Sequence, residues 1–287
     1  MIPLIGLQLQ PLPPKPTIEL SNEEYHKHPA ISRSALSLFD KSPLHYWYRY
    51  INPDFVPHDS DSPALKFGTA CHMRVLEPEL FAETYIPAPT GSKNSKAYKD
   101  AVAEAAEAGK KILTHQEYDQ LDGIMTSLMN HPKANPALFG HGGINETSWI
   151  GKDPKTKLEL KVRPDRIMKS GALVDLKTSI DASASHFQRS AVNFGYCLQA
   201  AFYQHVMEIC TGSRTANFYF VVVEKEPPYA VSVFQASQAF IAYGRTEMNR
   251  LLTSIKSCKK TYGTSPWPSY SSDIQVLELP SWIKFQN

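Results

Sequence analysis

The stretch RPDRIMKSGALVDLK, at residues 163–177, decides the fold of this chain. Two short and mostly apolar runs, at 166–168 and 172–174, lie on either side of a Ser-Gly pair at 170–171. Such runs around a glycine-containing turn are typical of a β-hairpin. The stretch therefore predicts two antiparallel strands that are joined by a tight turn.

The predicted hairpin brings three charged side chains together. Asp165 belongs to its first strand, whereas Asp175 and Lys177 lie two residues apart on its second strand and so project to the same face. Two carboxylates at one site are oxygen ligands for a hard cation such as Mg²⁺. A lysine beside them can hold and polarise a water molecule. Because a metal ion and a positioned water are the minimal requirement for phosphodiester hydrolysis, the hairpin predicts a nuclease site.

The same residues are also compatible with the solvated ends of a surface hairpin or with a surface ion pair. The second strand contains Leu173, Val174 and Leu176 and is apolar enough to be buried. A buried carboxylate has to be paired or bound to a metal. Burial of this strand therefore favours the catalytic interpretation.

The composition limits how the chain could contact nucleic acid. It has 287 residues, 42% of them hydrophobic, which is enough for one large domain or two small ones. The formal net charge is only +2, so binding through overall charge is excluded and a local basic surface is required. One basic run leads into the hairpin and is typical either of such a surface or of a polar hairpin rim. Its residues are Lys152, Lys155, Lys157, Lys161, Arg163 and Arg166.

The cysteines and the chain start bear on the compartment. Cys71, Cys197, Cys210 and Cys258 are scattered without a C-x-x-C pair, which fits neither a zinc ribbon nor an iron–sulfur ligand set. The apolar start is short, lacks a basic segment and runs into prolines, so no signal peptide is predicted. No stretch approaches the length of a membrane span. We predict a cytoplasmic protein with reduced thiols and no membrane segment.

The distribution of patterns predicts a Pro-rich arm over residues 1–20 and a single domain over 21–287, with the tail from Trp267 docked on the domain. A strand meander is expected from Glu146 onward. The other predicted elements are helices that begin at Ser32 or Ser34 and at Pro43, helices at 65–76, 101–108 and after Thr114, a helix at 184–210 broken near 193–195, strands at 217–223 and 229–234, and a helix at 237–260. This order suggests an α/β domain with a mixed central sheet covered by helices.

Several motifs occur together with the hairpin, in a fixed order, over about residues 25–225. They are Ile31-Ser32-Arg33-Ser34-Ala35-Leu36, Phe67-Gly68-Thr69-Ala70-Cys71-His72, Leu76-Glu77-Pro78, Asp175-Leu176-Lys177-Thr178 and Gln199-Ala200-Ala201-Phe202-Tyr203. With Arg163-Pro164-Asp165 they resemble the PD-(D/E)XK nuclease superfamily, and more narrowly the RecE (exonuclease eight) domain of phages and prophages. The resemblance implies an α/β fold in which helices flank a PD-(D/E)XK nuclease-like mixed central β-sheet.

The resemblance also implies a role for each matching residue. The implied metal ligands are Asp165, Asp175, the main-chain carbonyl of Leu176, His72 and Glu146. The implied catalytic residues are Lys177, Asp165, Asp175, His72, Gln199 and Tyr203. Lys177 would orient the attacking water and stabilise negative charge on the phosphate. Alternative interpretations are a half-buried helix histidine for His72 and packed polar helix residues for Gln199 and Tyr203.

A third group of residues is a candidate for recognising the 5′ end of DNA. Ser32, Arg33 and Ser34 combine hydroxyls, a guanidinium group and a predicted helix N-terminus, which together suit a 5′-phosphate. Simple helix capping is an equally good explanation for the serines.

As a whole, the resemblance implies an Mg²⁺-dependent exonuclease (with Mn²⁺ as a substitute) that degrades double-stranded DNA from 5′ to 3′. It would leave 3′ single-stranded overhangs for recombination with a RecT-like single-strand annealing protein. A trimeric or tetrameric ring is implied as well. The alternatives are a PD-(D/E)XK endonuclease, a Cas4-like or RecB-like repair nuclease, and a non-catalytic DNA-binding module.

Overall fold

The computed structural model describes residues 20–56, 62–92, 94–214 and 217–279. The predicted Pro-rich arm lies outside these residues except for Leu20, and the last part of the predicted tail, 280–287, also lies outside them. The arm and the single-domain division therefore stay predictions.

The described residues form helices and short strands with the following bounds. The helices are α1 (Asn22–Lys27), α2 (Arg33–Lys41), α3 (Pro43–Tyr50), α4 (Pro63–Leu76), α5 (Pro78–Thr84), α6 (Lys96–Glu107), α7 (His115–Asn130), α8 (Ala134–Phe139), α9 (Ala184–Asn193), α10 (Tyr196–Thr211) and α11 (Gln238–Tyr262). The strands are β1 (Tyr85–Pro87), β2 (Lys111–Leu113), β3 (Ile144–Asn145), β4 (Trp149–Lys152), β5 (Glu159–Val162), β6 (Arg166–Ile167), β7 (Leu173–Ser179), β8 (Phe218–Glu224) and β9 (Val231–Gln235).

The central sheet has the strand order β3-β6-β7-β8-β9. The hairpin β6–β7 is antiparallel, with Ile167 opposite Leu173, and β7 runs parallel to β8. A parallel neighbour requires a crossover connection, which α9 and α10 provide. The remaining neighbours, β3–β6 and β8–β9, are antiparallel. The predicted hairpin, the central strand at β8 and the mixed α/β class are confirmed.

Helices cover both faces of this sheet, and each face has its own apolar core. On one face, Leu173 packs in a cluster with residues of α2, α10 and α11. On the other face, Val174 and Leu176 pack with residues of α4 and α7. Because side chains alternate along a strand, Asp175 and Lys177 point to the same side as Leu173, toward α10.

Helix boundaries follow local capping chemistry. Ser32 and Ser42 are the N-caps of α2 and α3, and their hydroxyls accept hydrogen bonds from main-chain amides. Thr114 forms a capping box with Glu117 at the start of α7, as its spacing predicts. The break between α9 and α10 also lies where predicted, at Phe194 and a left-handed Gly195. Helix α11 approaches α10 closely because Gly244 has no Cβ, which would lie 1.9 Å from the Cys197 carbonyl oxygen.

The strand meander predicted from Glu146 onward is divided between two sheets. Strands β4 and β5 form a two-stranded sheet of their own, whereas β3 joins the central sheet beside β6. The separation occurs at Glu146, whose positive φ of 48° turns the chain out of the extended conformation after β3. The short parallel pair β1–β2 is not predicted by the pattern, because three residues are too few to show an alternation.

The described part of the tail begins in contact with the domain. Trp267 is buried and stacks on Tyr46 with 5.2 Å between ring centroids, and the Pro268 carbonyl accepts a hydrogen bond from the Leu44 amide. Farther along, Ile274 and Leu277 are fully exposed. The close contact is therefore made around Trp267.

Candidate active site

The centre of the site is Asp175 on β7. Its side chain is buried, and its two carboxylate oxygens have different partners. Gln199 donates to Oδ1 over 2.5 Å from α10, and the Lys177 Nζ atom lies 2.5 Å from Oδ2. The lysine contact is a close ion pair, and no other described residue donates to Oδ2. A buried carboxylate oxygen of this kind has a lone pair available for a cation.

Asp165 is hydrogen-bonded to the main chain of β7, the strand that carries Asp175. It lies directly before β6, at the position opposite Asp175 in the hairpin register, and its Oδ2 accepts a hydrogen bond from the Leu176 amide over 2.7 Å. Asp165 therefore contacts the peptide group that joins Asp175 to Leu176, and the predicted acidic pair and lysine do converge.

His72 on α4 closes the site from the other face of the sheet. Its Nε2 atom lies 2.8 Å from the Leu176 carbonyl oxygen and 3.3 Å from Asp165 Oδ2, and its Nδ1 atom lies 2.9 Å from the Gly68 carbonyl oxygen. Since both ring nitrogens face acceptors, the contacts favour the doubly protonated imidazolium. Burial alone would lower the pKa of His72, but the charge of Asp165 and the hydrogen bonds to Asp165 and to the Gly68 carbonyl together outweigh it and raise the pKa to about 9.

The charged groups of the site shift one another's pKa values. Burial raises the pKa of Asp175, and the charge of Asp165 adds to this rise against the opposing effect of Lys177. Burial would also raise the pKa of Asp165, but His72, Lys177 and the Leu176 amide outweigh it, so this pKa is lowered. The pKa of Lys177 is raised, because the two carboxylates outweigh the effect of burial. The site therefore keeps a protonated lysine next to at least one ionised carboxylate.

The donor atoms of the site suit a hard divalent cation. Asp175 Oδ2, the carboxylate of Asp165 and the Leu176 carbonyl are all oxygens, the ligand type that Mg²⁺ prefers. Among the residues that the structure describes, no three His, Cys, Asp or Glu side chains are already gathered as a metal-binding group. A complete shell would therefore need the Leu176 carbonyl and oxygens from water or substrate, in keeping with the waters that Mg²⁺ usually retains.

Glu146 is near the site but has another partner. Its Oε2 atom accepts a hydrogen bond from Arg163 over 2.9 Å, and its main-chain amide donates to the Asp165 carbonyl over 3.1 Å. Burial, and then the charge of Asp165, raise the pKa of Glu146 to about 7. The residue lies in the turn after β3 and does not open a strand as predicted, because of its positive φ. Its role as a metal ligand remains a prediction.

Helix α10 presents the downstream residues. Gln199 contacts Asp175 as described above and so holds the carboxylate in position. Tyr203 lies one turn farther along, with its ring 6.3 Å from Phe218 in an edge-to-face contact, and burial raises the pKa of its hydroxyl. Sequence reasoning missed Tyr196, whose ring centroid lies 4.8 Å from the Lys177 Nζ atom. Its position, three residues before Gln199 on the same helix face, is the signal that could have identified it.

The candidate 5′-phosphate residues surround the start of α2. The Ser32 hydroxyl accepts from the Ala35 amide and is the helix cap, and Ser34 is exposed in the first turn. Arg33 reaches across to the α9–α10 break, where one of its nitrogens donates to the Phe194 carbonyl. Its Nε atom is buried and has no partner among the described residues. Arg33 therefore has donor capacity left, whereas capping accounts for Ser32.

Half of the basic run is internal, and this corrects its interpretation as one surface. The Lys161 ammonium contacts the main-chain carbonyls of Tyr25 and His28, and Arg166 donates to Asn145 and to the Gly140 carbonyl. Arg163 is paired with Glu146. The exposed remainder is Lys152, Lys155 and Lys157 on the β4–β5 hairpin.

Comparisons with known proteins give a family and a fold. A family model described as a PDDEXK-like domain of unknown function (DUF3799) matches residues 32–280. A crystal structure of a provisionally named exonuclease from Eubacterium rectale has 18% sequence identity and a TM-score of 0.58, over 92% of this chain and 96% of that chain. At this identity it supports the fold and not the activity. No curated protein matches the chain.

Two further crystal structures with lower TM-scores are of one alkaline exonuclease, LHK-Exo. The structure from Laribacter hongkongensis has 16% identity and a TM-score of 0.26, over 63% of this chain and 93% of that chain. Its complex with dAMP has 14% identity and a TM-score of 0.31, over 82% of this chain and 93% of that chain.

Within the described residues, no helix is both long and apolar enough to cross a membrane.

Proposed function

The chain belongs to the PDDEXK-like domain family whose model matches its residues 32–280, and from this premise we propose that it is a metal-dependent DNA nuclease. More specifically, we propose a 5′-to-3′ exonuclease on double-stranded DNA that leaves 3′ single-stranded overhangs. The resemblance to the RecE domain supports this polarity, and the residues of the site support the hydrolysis.

One observation carries the proposal. Asp165 and His72 contact the two polar atoms of the same residue, Leu176, which separates Asp175 from Lys177. Two carboxylates, an imidazole and an ammonium group are thereby gathered around one residue of a buried strand. Gathering four buried or half-buried ionisable groups is costly for folding, which is why such clusters are more frequent at functional sites.

The chain's own residues account for positioning and charge. Gln199 and Lys177 hold the two oxygens of Asp175, and the Leu176 amide holds Asp165. A bound Mg²⁺ would supply Lewis-acid stabilisation of phosphate oxygens and a more acidic water. The Lys177 ammonium is oriented to hold the attacking water and to stabilise negative charge as it develops on the phosphate. His72 fixes the strand through the Leu176 carbonyl and neutralises part of the acidic charge.

The remaining parts of the proposal are supported by the RecE resemblance alone. They are recombination with a RecT-like annealing protein and assembly into a trimeric or tetrameric ring around DNA. A closed ring would keep the enzyme on its substrate. Velocity sedimentation would test the ring directly, because a monomer at working concentration contradicts it.

Digestion of end-labelled DNA tests the activity, the polarity and the metal in one experiment. With Mg²⁺ or Mn²⁺, we expect linear duplex labelled at the 5′ ends to release label first as mononucleotides, and duplex labelled at the 3′ ends to release it last. Ca²⁺ and EDTA should give no digestion. Closed circular duplex should stay intact. Cleaved circles would favour the endonuclease alternative, and no digestion of any substrate would overturn the nuclease proposal.

The position of Arg33, a partly exposed guanidinium in the first turn of α2, predicts a preference for a 5′-phosphate. A charge-assisted hydrogen bond to phosphate contributes about 1.5–3 kcal/mol, which corresponds to about tenfold or more in binding. We expect blunt duplex with a 5′-phosphate to be digested about tenfold faster than duplex with a 5′-hydroxyl at subsaturating DNA, and Arg33→Gln to abolish this ratio.

The matched control for this prediction is Arg49→Gln, since Arg49 lies on the next helix with its guanidinium over the Phe55 ring. It should keep the ratio. Equal rates for the two duplexes in the unmodified protein would exclude a 5′-phosphate role for Ser32, Arg33 and Ser34.

A further inference from the structure

An exposed aromatic ring lies at the break between α9 and α10. Phe194 is the C-cap of α9 and is 61% exposed, although phenylalanine is an apolar residue that burial would stabilise. The turn around it is well defined, since the left-handed Gly195 follows and Arg33 donates to the Phe194 carbonyl. The ring is therefore held outward on a fixed turn.

This ring is connected to the proposed active site by one neighbour. The Phe194 and Tyr196 rings have centroids 5.9 Å apart, and the Tyr196 ring lies 4.8 Å from the Lys177 ammonium. Tyr196 is itself supported by the core through contacts with Phe187 and Phe220. A row of two rings therefore leads from the catalytic lysine to the surface.

We propose that Phe194 is a nucleobase-binding subsite, which stacks on the base of a nucleotide next to the phosphate that is cut. This inference rests on the proposed nuclease function and names a residue that specifies how DNA is held. A base stacked on an aromatic side chain contributes about 1–3 kcal/mol to binding, without preference for one base.

The surroundings of the ring favour a nucleotide over a hydrophobic protein partner. The Arg33 guanidinium contacts the main chain of Phe194, and the Lys177 ammonium lies over the neighbouring Tyr196 ring. A nucleotide offers both a flat base for the ring and a phosphate for such cations. An apolar protein surface would offer no anionic group to these cations. The subsite also places a base next to the proposed 5′-phosphate contact at Arg33.

The test is a thermodynamic cycle that combines a substitution in the protein with the removal of one base from the DNA. Binding of duplexes with a 5′-phosphate is measured by fluorescence anisotropy in EDTA, for the unmodified protein and for Phe194→Ala. Each protein is tested with a duplex that has all of its bases (the fully based duplex) and with a series of duplexes. Each duplex of the series carries a single abasic nucleotide, at a different terminal position.

We expect Phe194→Ala to weaken binding of the fully based duplex between about fivefold and 100-fold. At one position the abasic nucleotide should weaken binding by the unmodified protein to a similar extent, and should have no further effect on Phe194→Ala. Phe194→Trp should keep or increase affinity. The control is Tyr243→Ala on α11, since Tyr243 is an aromatic residue of the same 61% exposure and should show no change.

The inference is overturned if the affinity losses caused by Phe194→Ala and by the abasic nucleotide add up at every position, or if Phe194→Ala binds duplex with unchanged affinity. Either result would leave the proposed function intact. If the unmodified protein neither binds nor cuts duplex DNA, the proposed function fails and the inference fails with it. Because the exposed Phe194 side chain contributes little to the core, its replacement should leave the melting temperature unchanged.

Discussion

Replacement of Lys177 with methionine is expected to lower the rate of Mg²⁺-dependent DNA hydrolysis by at least about 10²–10³-fold, the usual effect of removing one donor that stabilises transition-state charge. Methionine keeps most of the length and packing of the side chain and removes only the ammonium group. Single-turnover digestion of end-labelled linear duplex measures the chemical step directly. Affinity for duplex in EDTA should change far less, since Lys177 is one of many cationic groups that DNA can meet.

The structure gives a physical reason for this large effect. The Lys177 ammonium is held between Asp175, 2.5 Å away, and the face of Tyr196, 4.8 Å away. A lysine that is held in this way is already oriented, so little reorganisation is needed when negative charge develops. A flexible surface lysine would have only a weak, screened interaction.

A second lysine that is buried within the fold provides the control. The Lys161 ammonium contacts the main-chain carbonyls of Tyr25 and His28, away from the carboxylates of the site. Lys161→Met should lower the melting temperature, because it leaves these carbonyls without their donor, but it should preserve the rate per folded molecule. A Lys177→Met protein that keeps more than about a tenth of the rate would contradict the assignment.

The sequence predicts the centre of the site well because it depends on strand alternation alone. In the hairpin, the turn at Gly171 sets the register, and the two-residue period then places Asp175 and Lys177 on one face. The apolar character of β7 and β8 predicts that this face is buried. These are local properties, so a single sequence contains them.

Residues whose environment depends on distant contacts could not be predicted in the same way. Lys161 and Arg166 look like surface cations in the sequence, but main-chain carbonyls from other elements draw them inward. The turn at Glu146 depends on one positive φ, which glutamate rarely adopts. No sequence pattern predicts such a conformation at this residue. Which nitrogen of His72 meets which oxygen likewise depends on how α4 packs against the sheet.

The second large effect is expected for Asp175→Asn. Asparagine keeps the shape of the side chain and removes the negative charge that an oxygen-ligated cation needs. We expect hydrolysis to fall by at least about 10²–10³-fold and, independently of activity, the stabilisation of the fold by Mg²⁺ to disappear. A ligand at 100 times its dissociation constant stabilises the folded state by about 2.7 kcal/mol, which raises the melting temperature by a few degrees in a chain of this size.

Differential scanning calorimetry with and without Mg²⁺ measures this second effect within each variant, so any change in baseline stability cancels. The control is Asp40→Asn, because Asp40 is an exposed carboxylate that is ion-paired with Arg250 across α2 and α11. Its variant should retain the full shift, whereas Asp175→Asn should show none. A shift of equal size in both variants would mean that Mg²⁺ binds elsewhere, since Asp175→Asn removes a carboxylate charge that the proposed metal site requires. In that case the acidic pair of the hairpin would be a structural ion cluster held by Lys177 and His72, and the proposed hydrolysis would lose its metal site.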